Sequence, residues 1–370
     1  MTSWFSADDC RLEDFRALVE QKTDRSEYPH AVDVVQNVLV YPGDLADTPA
    51  IRSELARALM DGPGIVVFRQ AFSHDVVDRA TDVFAAMIAD QKAAGVVGGD
   101  HFAKPGANDR VWGALDKFAI RDPNAFAAYY DNSTLALISN AWLGTGYQIT
   151  SQINVVNPGG QAQVAHRDYH LGFMSEEQAV RYPAHMHLLS PALTLQGAVA
   201  HVDMPVETGP TLYLPHSQKY PPGYIAFHQP EFTEYFEANH VQLALSKADA
   251  AFFNPALFHG AGTNRSSDVK RMANLLQVSS AFGRAMETVD RTAMCEALYP
   301  VLVGYAGSTA NVIAASAEGY AFPTNLDRDQ PIGGLAPQTQ AELVAQAVAE
   351  RWDAATFTKA LHDQQFRHLS

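Results

Sequence analysis

From residue 147 onward the chain is a series of short apolar runs separated by glycine, proline, asparagine and aspartate. The first run, residues 147–156, is typical of a strand and places Thr150, Gln152 and Asn154 on one face. Further runs occupy residues 193–202, 212–214, 241–245, 250–253 and 272–278. Repeated short strands without long helices between them indicate a sandwich or barrel and argue against a parallel α/β sheet. We therefore predict a mainly β core.

Helical patterns flank this core on both sides. A helix is predicted to begin at Asp47-Thr48-Pro49, because either aspartate or threonine can cap a helix amino terminus and the proline suits the first turn. A second helix is predicted after Ser73, since the apolar residues within 76–88 follow the helical period. Near the carboxyl end, one helix is predicted to open at residues 336–339 and another to cover about 354–369.

Neither an internal repeat nor a linker divides the 370 residues, so we predict a single domain over residues 1–370. Its carboxyl-terminal helices could cover the β core or form a dimer contact, which leaves a homodimer open. The predicted parts are an amino-terminal α/β segment at 1–146, a β core at about 147–285 and a carboxyl-terminal helical extension at 286–370.

Composition excludes several classes of protein. The formal charge of −15 argues against binding to nucleic acid, which needs a basic face. No segment reaches the roughly 18 continuous apolar residues of a membrane span, and the first residues do not resemble a secretion signal. The two cysteines, Cys10 and Cys295, are too few for a disulfide framework and suit a reducing compartment. We expect a soluble cytoplasmic protein.

A candidate metal site lies within residues 164–170. On a β-strand alternate side chains share a face, so His166 and Asp168 are predicted to lie side by side. One more ligand would complete the two-histidine, one-carboxylate triad that binds non-haem iron and leaves positions open. His259 is the candidate for that ligand, because it ends an aromatic run and precedes glycines that allow close approach.

Other histidines compete for a functional role. His170, two positions further along the same predicted strand, is a candidate for contact with the substrate. His185, His187 and His201 form an alternative metal cluster, with the first two on one face of a possible strand. The adjacent pair Asp100-His101 is a weaker candidate, because neighbouring strand residues face opposite ways, and we expect a loop there.

Three blocks of the sequence resemble the signature blocks of the phytanoyl-CoA dioxygenase family and occur in the same order. They are residues 166–168, residues 208–217 with Gly209-Pro210-Thr211, and residues 258–266. The resemblance covers roughly residues 60–285. It departs from the family pattern at His216, where the family usually has Gly-Ser-His after the proline, and at Ala248, where the family usually has glycine.

The resemblance implies a double-stranded β-helix, the cupin-like jelly roll, that holds Fe(II) and uses 2-oxoglutarate and O2. It implies His166, Asp168 and His259 as the iron ligands. A basic residue a dozen or so positions after His259 is implied as the clamp for 2-oxoglutarate. Arg271 fits best, with Lys270 and Arg265 as alternatives; Gln152, Asn154 and Thr211 are further candidates for binding this cosubstrate.

Hydroxylation of a small organic molecule, with release of succinate and CO2, is the activity that the resemblance implies. Asp168 favours hydroxylation over halogenation, because related halogenases replace the carboxylate with a small residue. Desaturation and ring closure stay open. Two alternatives from other classes are a cupin-like isomerase or hydrolase that uses zinc or manganese, and a catalytically inactive binding member of the fold.

Overall fold

The structure, a computed structural model, describes residues 3–95 and 106–370. Its strands are β1 Asp33–Val35, β2 Val38–Pro42, β3 Ile65–Arg69, β4 Asn108–Val111, β5 Gln148–Val156, β6 Thr194–Ala200, β7 Leu212–Leu214, β8 Val241–Gln242, β9 Ala250–Phe253, β10 Phe258–Gly260 and β11 Arg271–Ser279. Its helices are α1 Leu12–Val19, α2 Pro49–Met60, α3 His74–Ala93, α4 Ala114–Arg121, α5 Pro123–Tyr130, α6 Ser133–Leu143, α7 Glu176–Ala179, α8 Ala184–Leu189, α9 Gly223–Ala226, α10 Pro230–Asn239, α11 Arg291–Leu302, α12 Thr309–Ser316, α13 Gln340–Glu350 and α14 Ala354–His368.

The strands form two sheets. The larger, mixed sheet has eight strands in the order β1-β2-β3-β9-β6-β11-β5-β4, and the smaller has three in the order β10-β7-β8. Among the described strands of the larger sheet, β2 and β3 form the one parallel pair. Four of its strands precede residue 147, so the sheet extends beyond the predicted core boundaries. Helices hold more of the described residues than strands do, and the mainly β description therefore applies to the core alone.

Local sequence accounts for several helix starts. The Thr48 hydroxyl accepts a hydrogen bond from the backbone of Ile51, which confirms the predicted start of α2. Thr339 begins α13 through a capping box with Glu342. Ser73 precedes α3 as predicted but makes no hydrogen bond from its side chain. None of the helices in the described part of the chain is long and apolar enough to cross a membrane.

The larger sheet buries its two faces differently. One face, which includes Ile149 and Ile153 of β5, packs into the main apolar core with the flanking helices. The other face turns towards the smaller sheet, where Val67, Phe253 and Tyr213 form a second apolar cluster. Because side chains alternate along a strand, Thr150, Gln152 and Asn154 lie on this second face, between the two sheets.

The alternative cluster of three histidines does not form. His185 and His187 lie on helix α8 and not on a strand, and His187 is buried with its Nε2 3.1 Å from the Ala179 carbonyl. His201 is buried elsewhere, with its ring nitrogens 2.8 Å from Thr81 Oγ1 and 3.0 Å from Tyr129 Oη. The prediction was wrong because the possible strand is helical and separates the three rings.

Burial of His201 predicts a pH dependence of stability. Desolvation lowers the pKa of His201 from 6.5 to about 3, so the unfolded chain takes up this proton first as the pH falls. The contribution is fully present above pH 6.5 and is lost below it, at up to about 1.4 kcal/mol per pH unit. We expect His201→Gln to reduce the dependence on pH of the free energy of unfolding by that amount. Urea unfolding of both proteins at pH 7 and pH 5 measures how the free energy of unfolding changes with pH. An equal change in the wild type and in His201→Gln would show that His201 does not cause it.

Candidate metal centre

The backbone brings His166 and His259 together without a regular strand at His166. The two residues form an isolated antiparallel bridge, in which each amide donates to the carbonyl of the other at 3.0 and 3.1 Å. The Asp168 amide donates to the Pro255 carbonyl at 3.0 Å. The predicted strand over residues 164–170 was therefore wrong in extent, because the segment pairs with its neighbour only at single points. Its side chains nevertheless alternate as predicted, so that His166 and Asp168 face the same side.

The three predicted ligands converge. One donor atom from each of His166, Asp168 and His259 lies within 4.8 Å of the others. His166 Nε2 is 3.8 Å from Asp168 Oδ1, and His259 Nε2 is 3.4 Å from Asp168 Oδ2. Across residues 3–95 and 106–370, no other group of three such side chains is arranged to hold a metal ion. Two imidazoles and one carboxylate are the donor set of a non-haem iron centre.

Hydrogen bonds to the backbone orient both imidazoles. His166 Nδ1 lies 2.9 Å from the Val164 carbonyl, and His259 Nδ1 lies 2.8 Å from the Leu257 carbonyl. A carbonyl oxygen only accepts, so Nδ1 must carry the proton in each ring. The unprotonated Nε2 atoms therefore face Asp168, as in metal-binding histidines whose other nitrogen is held by the protein.

Gln196 on β6 orients the carboxylate ligand. Its side-chain amide donates a hydrogen bond to Asp168 Oδ2. Burial by itself would raise the pKa of Asp168, but the two imidazoles and this amide together hold that pKa below its usual value. The carboxylate is thus ionised and fixed in position, which suits a cation. The sequence patterns missed Gln196, although a single amide within an otherwise apolar strand run is a visible signal.

Removing the Gln196 amide should weaken the metal centre without unfolding the protein. We expect Gln196→Leu to lower metal affinity by about 10- to 100-fold, the usual cost of losing a residue that orients a metal ligand. Stability should be unchanged or higher, since Gln196 Oε1 is buried and has no hydrogen-bond partner within residues 3–95 and 106–370. Titration with Co(II) measures the affinity.

Gln277→Leu is the matched control. Gln277 is the cross-strand neighbour of Gln196 but receives its hydrogen bonds from Thr150 and Gln152 instead of binding Asp168. Unchanged Co(II) affinity in Gln196→Leu would exclude the orienting role.

Arg271, the first residue of β11, is buried at 6 % exposure. Its Nη1 reaches only two backbone carbonyls, of Thr208 at 3.4 Å and Gly262 at 3.3 Å, and it forms no ion pair with a carboxylate of the described residues. Burial lowers its pKa to about 10. A buried guanidinium without an anionic partner is costly, so this arrangement indicates a ligand that brings a carboxylate. The alternatives Lys270 and Arg265 are both exposed.

The partial exposure of four residues indicates an open space, called here the cavity, over the part of the larger sheet between Arg271 and Gln196. Asn154 pairs with Ala273, and Leu275 pairs with Ala198, across three neighbouring strands of the larger sheet. These four residues are only half-buried although their strands lie in the interior of the sheet. Central strands covered on both faces would be fully buried, and the partial exposure therefore marks an open space over this part of the sheet.

Tyr213 of the smaller sheet and Thr211, the residue before β7, lie at the Arg271 end of this cavity. Tyr213 is the cross-strand neighbour of His259 and is close enough to Arg271 for the two charges to interact. Thr211 is half-buried, and its side chain reaches the Tyr213 hydroxyl. Tyr213 was missed from the sequence, although it lies in the second block, residues 208–217. The cavity thus has one cationic end with two hydroxyl groups.

The polar face of β5 is only partly available to a ligand. Gln152 is fully buried; its Oε1 accepts from Arg110 at 2.7 Å, and its Nε2 lies 3.5 Å from Gln277 Oε1. Asn154 is different, because its Oδ1 is buried and accepts no hydrogen bond from any described residue. Of the two predicted candidates, Asn154 therefore has the freer side chain, and Gln152 forms part of an amide network.

The other histidine candidates lie outside the three-ligand group. Tyr169 and His170 both have a left-handed backbone, with φ of 64° and 47°, so His170 does not continue a strand and instead reaches Ser190 Oγ at 3.3 Å. A substrate contact by His170 stays a prediction. His216 is buried with its Nε2 3.2 Å from Thr23 Oγ1. Asp100-His101 lies outside the described residues.

Arg167 anchors the ligand segment from the opposite side. Its side chain is 1 % exposed and donates to the carbonyls of Ser217 at 2.6 Å and Tyr220 at 3.0 Å. The guanidinium lies between the rings of Tyr224 and Phe258. Because Arg167 stands between two of the predicted ligands in sequence, its contacts fix the backbone that presents them.

Comparison with known proteins shows the family to which the chain belongs. A family model described as phytanoyl-CoA dioxygenase matches residues 60–273, more than half of the chain. That match includes all three triad residues and Arg271. No curated protein matches the chain.

Several solved structures match part of the chain. One is SnoN, a non-haem α-ketoglutarate-dependent epimerase from nogalamycin biosynthesis, with 18 % identity over 63 % of this chain and 84 % of that chain and a TM-score of 0.42. Another is AviO1 from Streptomyces viridochromogenes Tue57, with 15 % identity over 65 % and 99 % of the two chains and a TM-score of 0.45. A third is HygX from Streptomyces hygroscopicus, solved with nickel, 2-oxoglutarate and hygromycin B, with 13 % identity over 64 % and 90 % and a TM-score of 0.44.

Proposed function

The chain belongs to the phytanoyl-CoA dioxygenase family, and on that premise we propose that it is an Fe(II)- and 2-oxoglutarate-dependent oxygenase that hydroxylates a small organic molecule. The observation that carries the proposal is Arg271, a buried guanidinium without a carboxylate partner among the described residues. It lies at one end of a cavity that extends towards His166, Asp168 and His259. A metal centre alone would not require such a group.

The donor set fits the cofactors of the family. His166, Asp168 and His259 would hold Fe(II), and Arg271 would hold the distal carboxylate of 2-oxoglutarate by two parallel hydrogen bonds. Tyr213, Thr211 and Asn154 line the space between and offer further hydrogen bonds to the cosubstrate. When bound, iron and 2-oxoglutarate supply the oxygen chemistry, in which O2 and 2-oxoglutarate give succinate, CO2 and a hydroxylated substrate.

The residues of the chain supply position and electrostatics. Gln196 and the two backbone carbonyls hold the ligands in one arrangement, and the Asp168 carboxylate remains ionised. The small side chains of Ala198 and Ala273 leave room for a planar dicarboxylate. Retention of Asp168 supports hydroxylation over halogenation, since a carboxylate occupies the position that a halide would need.

We also propose that the two sheets are the halves of a double-stranded β-helix. The ligand His259 lies on the smaller sheet, while Gln196 and Arg271 lie on the larger one. A site built between two sheets is the arrangement expected of a cupin-like jelly roll. The proposed unit is a single catalytic domain over residues 1–370.

The proposal is tested by the products that the purified protein forms and by the cofactors that it requires. With Fe(II), 2-oxoglutarate and air, we expect conversion of 2-oxoglutarate to succinate that stops when either iron or oxygen is withheld. Under anaerobic conditions, Fe(II) and 2-oxoglutarate together should give a visible absorption band that zinc, with its filled d shell, does not give. Metal-dependent turnover in zinc without succinate would favour a cupin-like isomerase or hydrolase. Absence of both succinate and metal binding would favour an inactive binding protein.

A further inference from the structure

Two glutamine side chains lie next to each other on the face of the larger sheet that turns towards the smaller one. Gln196 of β6 and Gln277 of β11 are cross-strand neighbours, and both are more than nine-tenths buried, at 6 % and 7 % exposure. Side chains in such positions are about 5 Å apart at Cβ. We call the two residues the amide pair. It lies beside the metal centre, because Gln196 donates a hydrogen bond to Asp168 Oδ2.

The free acceptor of the amide pair is Gln196 Oε1. The Asp168 carboxylate only accepts hydrogen bonds, so Gln196 must turn its Nε2 towards Asp168 and its Oε1 away. That oxygen is buried and accepts no hydrogen bond from a described residue. Buried acceptors are normally satisfied, and an unsatisfied one beside a metal centre therefore indicates a ligand that brings an N–H or O–H donor.

The free donor of the amide pair is Gln277 Nε2. Arg110 only donates, so Gln152 turns its Oε1 to Arg110, at 2.7 Å, and its Nε2 towards Gln277. Gln277 Oε1 accepts from Gln152 at 3.5 Å and from the Thr150 hydroxyl at 3.4 Å. The other end of this amide, Gln277 Nε2, donates to none of the described residues. The pair thus offers one donor and one acceptor side by side.

The amide pair borders the cavity at the end opposite Arg271. Leu275 and Ala198, which are half-buried, occupy the adjacent cross-strand position. Gln277 is six residues from Arg271 along β11, which is about 20 Å at about 3.4 Å per residue. Side chains stand roughly perpendicular to a sheet, so their tips keep a similar separation. Because 2-oxoglutarate held by Arg271 would be shorter than that distance, the pair is placed to meet the substrate and not the cosubstrate.

Apolar groups lie close to the amide pair. Met286 Sδ is 3.9 Å from Gln152 Nε2 and 3.7 Å from the Tyr169 hydroxyl. Tyr169 is buried and directly follows Asp168, whereas Met286 is partly open to solvent. A phenol ring and a thioether pack well against aromatic groups. These surroundings suit a ligand in which an apolar ring is attached to the polar group that meets the pair.

We infer that the amide pair recognises a neutral amide group of the substrate, a carboxamide or a lactam, an inference that rests on the proposed function. The substrate carbonyl would accept from Gln277 Nε2, and the substrate N–H would donate to Gln196 Oε1. A carboxylate is disfavoured at this position, because it brings no donor for Gln196 Oε1 and would approach the like charge of Asp168.

Three benzene derivatives of nearly equal shape test this recognition: benzamide, acetophenone and benzoate. Benzamide brings a donor and an acceptor, acetophenone has a methyl group in place of the donor, and benzoate brings two acceptors. Ligand-observed NMR titration of the full-length protein measures their dissociation constants, with zinc to prevent turnover and saturating 2-oxoglutarate to occupy the Arg271 end. We expect benzamide to bind at least roughly tenfold more tightly than the other two, since each of them leaves a buried acceptor unsatisfied.

Gln277→Glu should change this preference in a defined direction. The carboxylate can still accept from Gln152 and Thr150 but offers no donor, so the variant should fold while the pair presents acceptors alone. Benzamide should bind at least roughly tenfold more weakly than to the wild type. Benzamidine, which brings only donors, should bind more weakly than benzamide to the wild type and more tightly than benzamide to the variant.

Gln346→Glu is the matched control. Gln346 is an exposed residue of α13, and its substitution makes the same change of charge away from the amide pair. The order of binding of benzamide, acetophenone and benzamidine should be that of the wild type. A preference for benzamidine in Gln277→Glu that also appears in Gln346→Glu would reflect net charge and would overturn the inference.

The remaining outcomes separate this inference from the proposed function. Equal binding of benzamide and acetophenone to the wild type would show that the two glutamines bind each other or water, and would overturn the inference. Absence of benzamide binding, or an unchanged preference in Gln277→Glu, would do the same. Succinate formation without added substrate reports on iron and 2-oxoglutarate alone. If succinate forms but the preference for benzamide is absent, the inference fails and the proposed function stands. If succinate is never formed, the proposed function fails, whatever the probes show.

Discussion

Replacing His259 with alanine is expected to lower Fe(II)-dependent succinate formation by more than about 100-fold. This loss exceeds the loss expected when a residue that only orients a metal ligand is removed. The buried His259 ring supplies one of the two imidazole nitrogens at the centre, and its Nε2 is 3.4 Å from Asp168 Oδ2. Without it, His166 and Asp168 provide only two donors, too few to hold iron in a fixed geometry. Quantified succinate and Co(II) titration are the measurements.

His240→Ala is the matched control for this variant. Its imidazole also holds a backbone carbonyl, with Nδ1 3.1 Å from that of Phe236, but it is not one of the three clustered ligands. Both substitutions remove an imidazole and one hydrogen bond, so a difference between them isolates the loss of a metal ligand. Turnover retained in His259→Ala, in a protein with an unchanged circular dichroism spectrum, would remove this residue from the centre.

The second large effect is expected at Arg271. Arg271→Gln should raise the KM for 2-oxoglutarate by about 30-fold or more, because truncating one member of a buried charge pair costs at least about 2 kcal/mol. The free energy of unfolding of the ligand-free protein should not fall. In that state the guanidinium makes only two long contacts, both to carbonyls, in the described part of the chain, and burial lowers its pKa to about 10.

The neighbouring basic residues provide the controls. Lys270→Gln and Arg265→Gln change exposed side chains and should leave the KM for 2-oxoglutarate within about twofold of the wild type. Equilibrium urea unfolding of each ligand-free variant accompanies the kinetics. A rise in KM with Lys270→Gln and none with Arg271→Gln would reverse the assignment of the clamp. A loss of stability in Arg271→Gln as large as the effect on binding would indicate a structural role.

The segment of residues 164–170 illustrates the limit of local patterns. The spacing of His166 and Asp168 predicted a shared face, and the structure brings their donor atoms together. The pattern failed two residues later, since Tyr169 and His170 are left-handed and the chain leaves its extended path. Non-glycine residues carry little sequence signal for that conformation, and surrounding packing imposes it.

Residues that act on the ligands could not be assigned from local sequence. Gln196 reaches Asp168 only because β6 lies in the larger sheet opposite the ligand segment. Tyr213 meets His259 only through the pairing of β7 with β10. Pairings between segments far apart in the chain depend on the burial of whole faces, which no short window of sequence contains.

By itself the sequence determined the helix starts at Thr48 and Thr339, the two-residue alternation along β5 and β11, and the types of side chain available as ligands. These depend on interactions within a few residues, namely capping hydrogen bonds and the alternation of side chains along a strand. Only the tertiary structure decided that Arg271, and not exposed Lys270, is buried beside the cavity. The register of β11 against β5 and β6 sets which of two adjacent side chains turns inward, and long-range packing fixes that register.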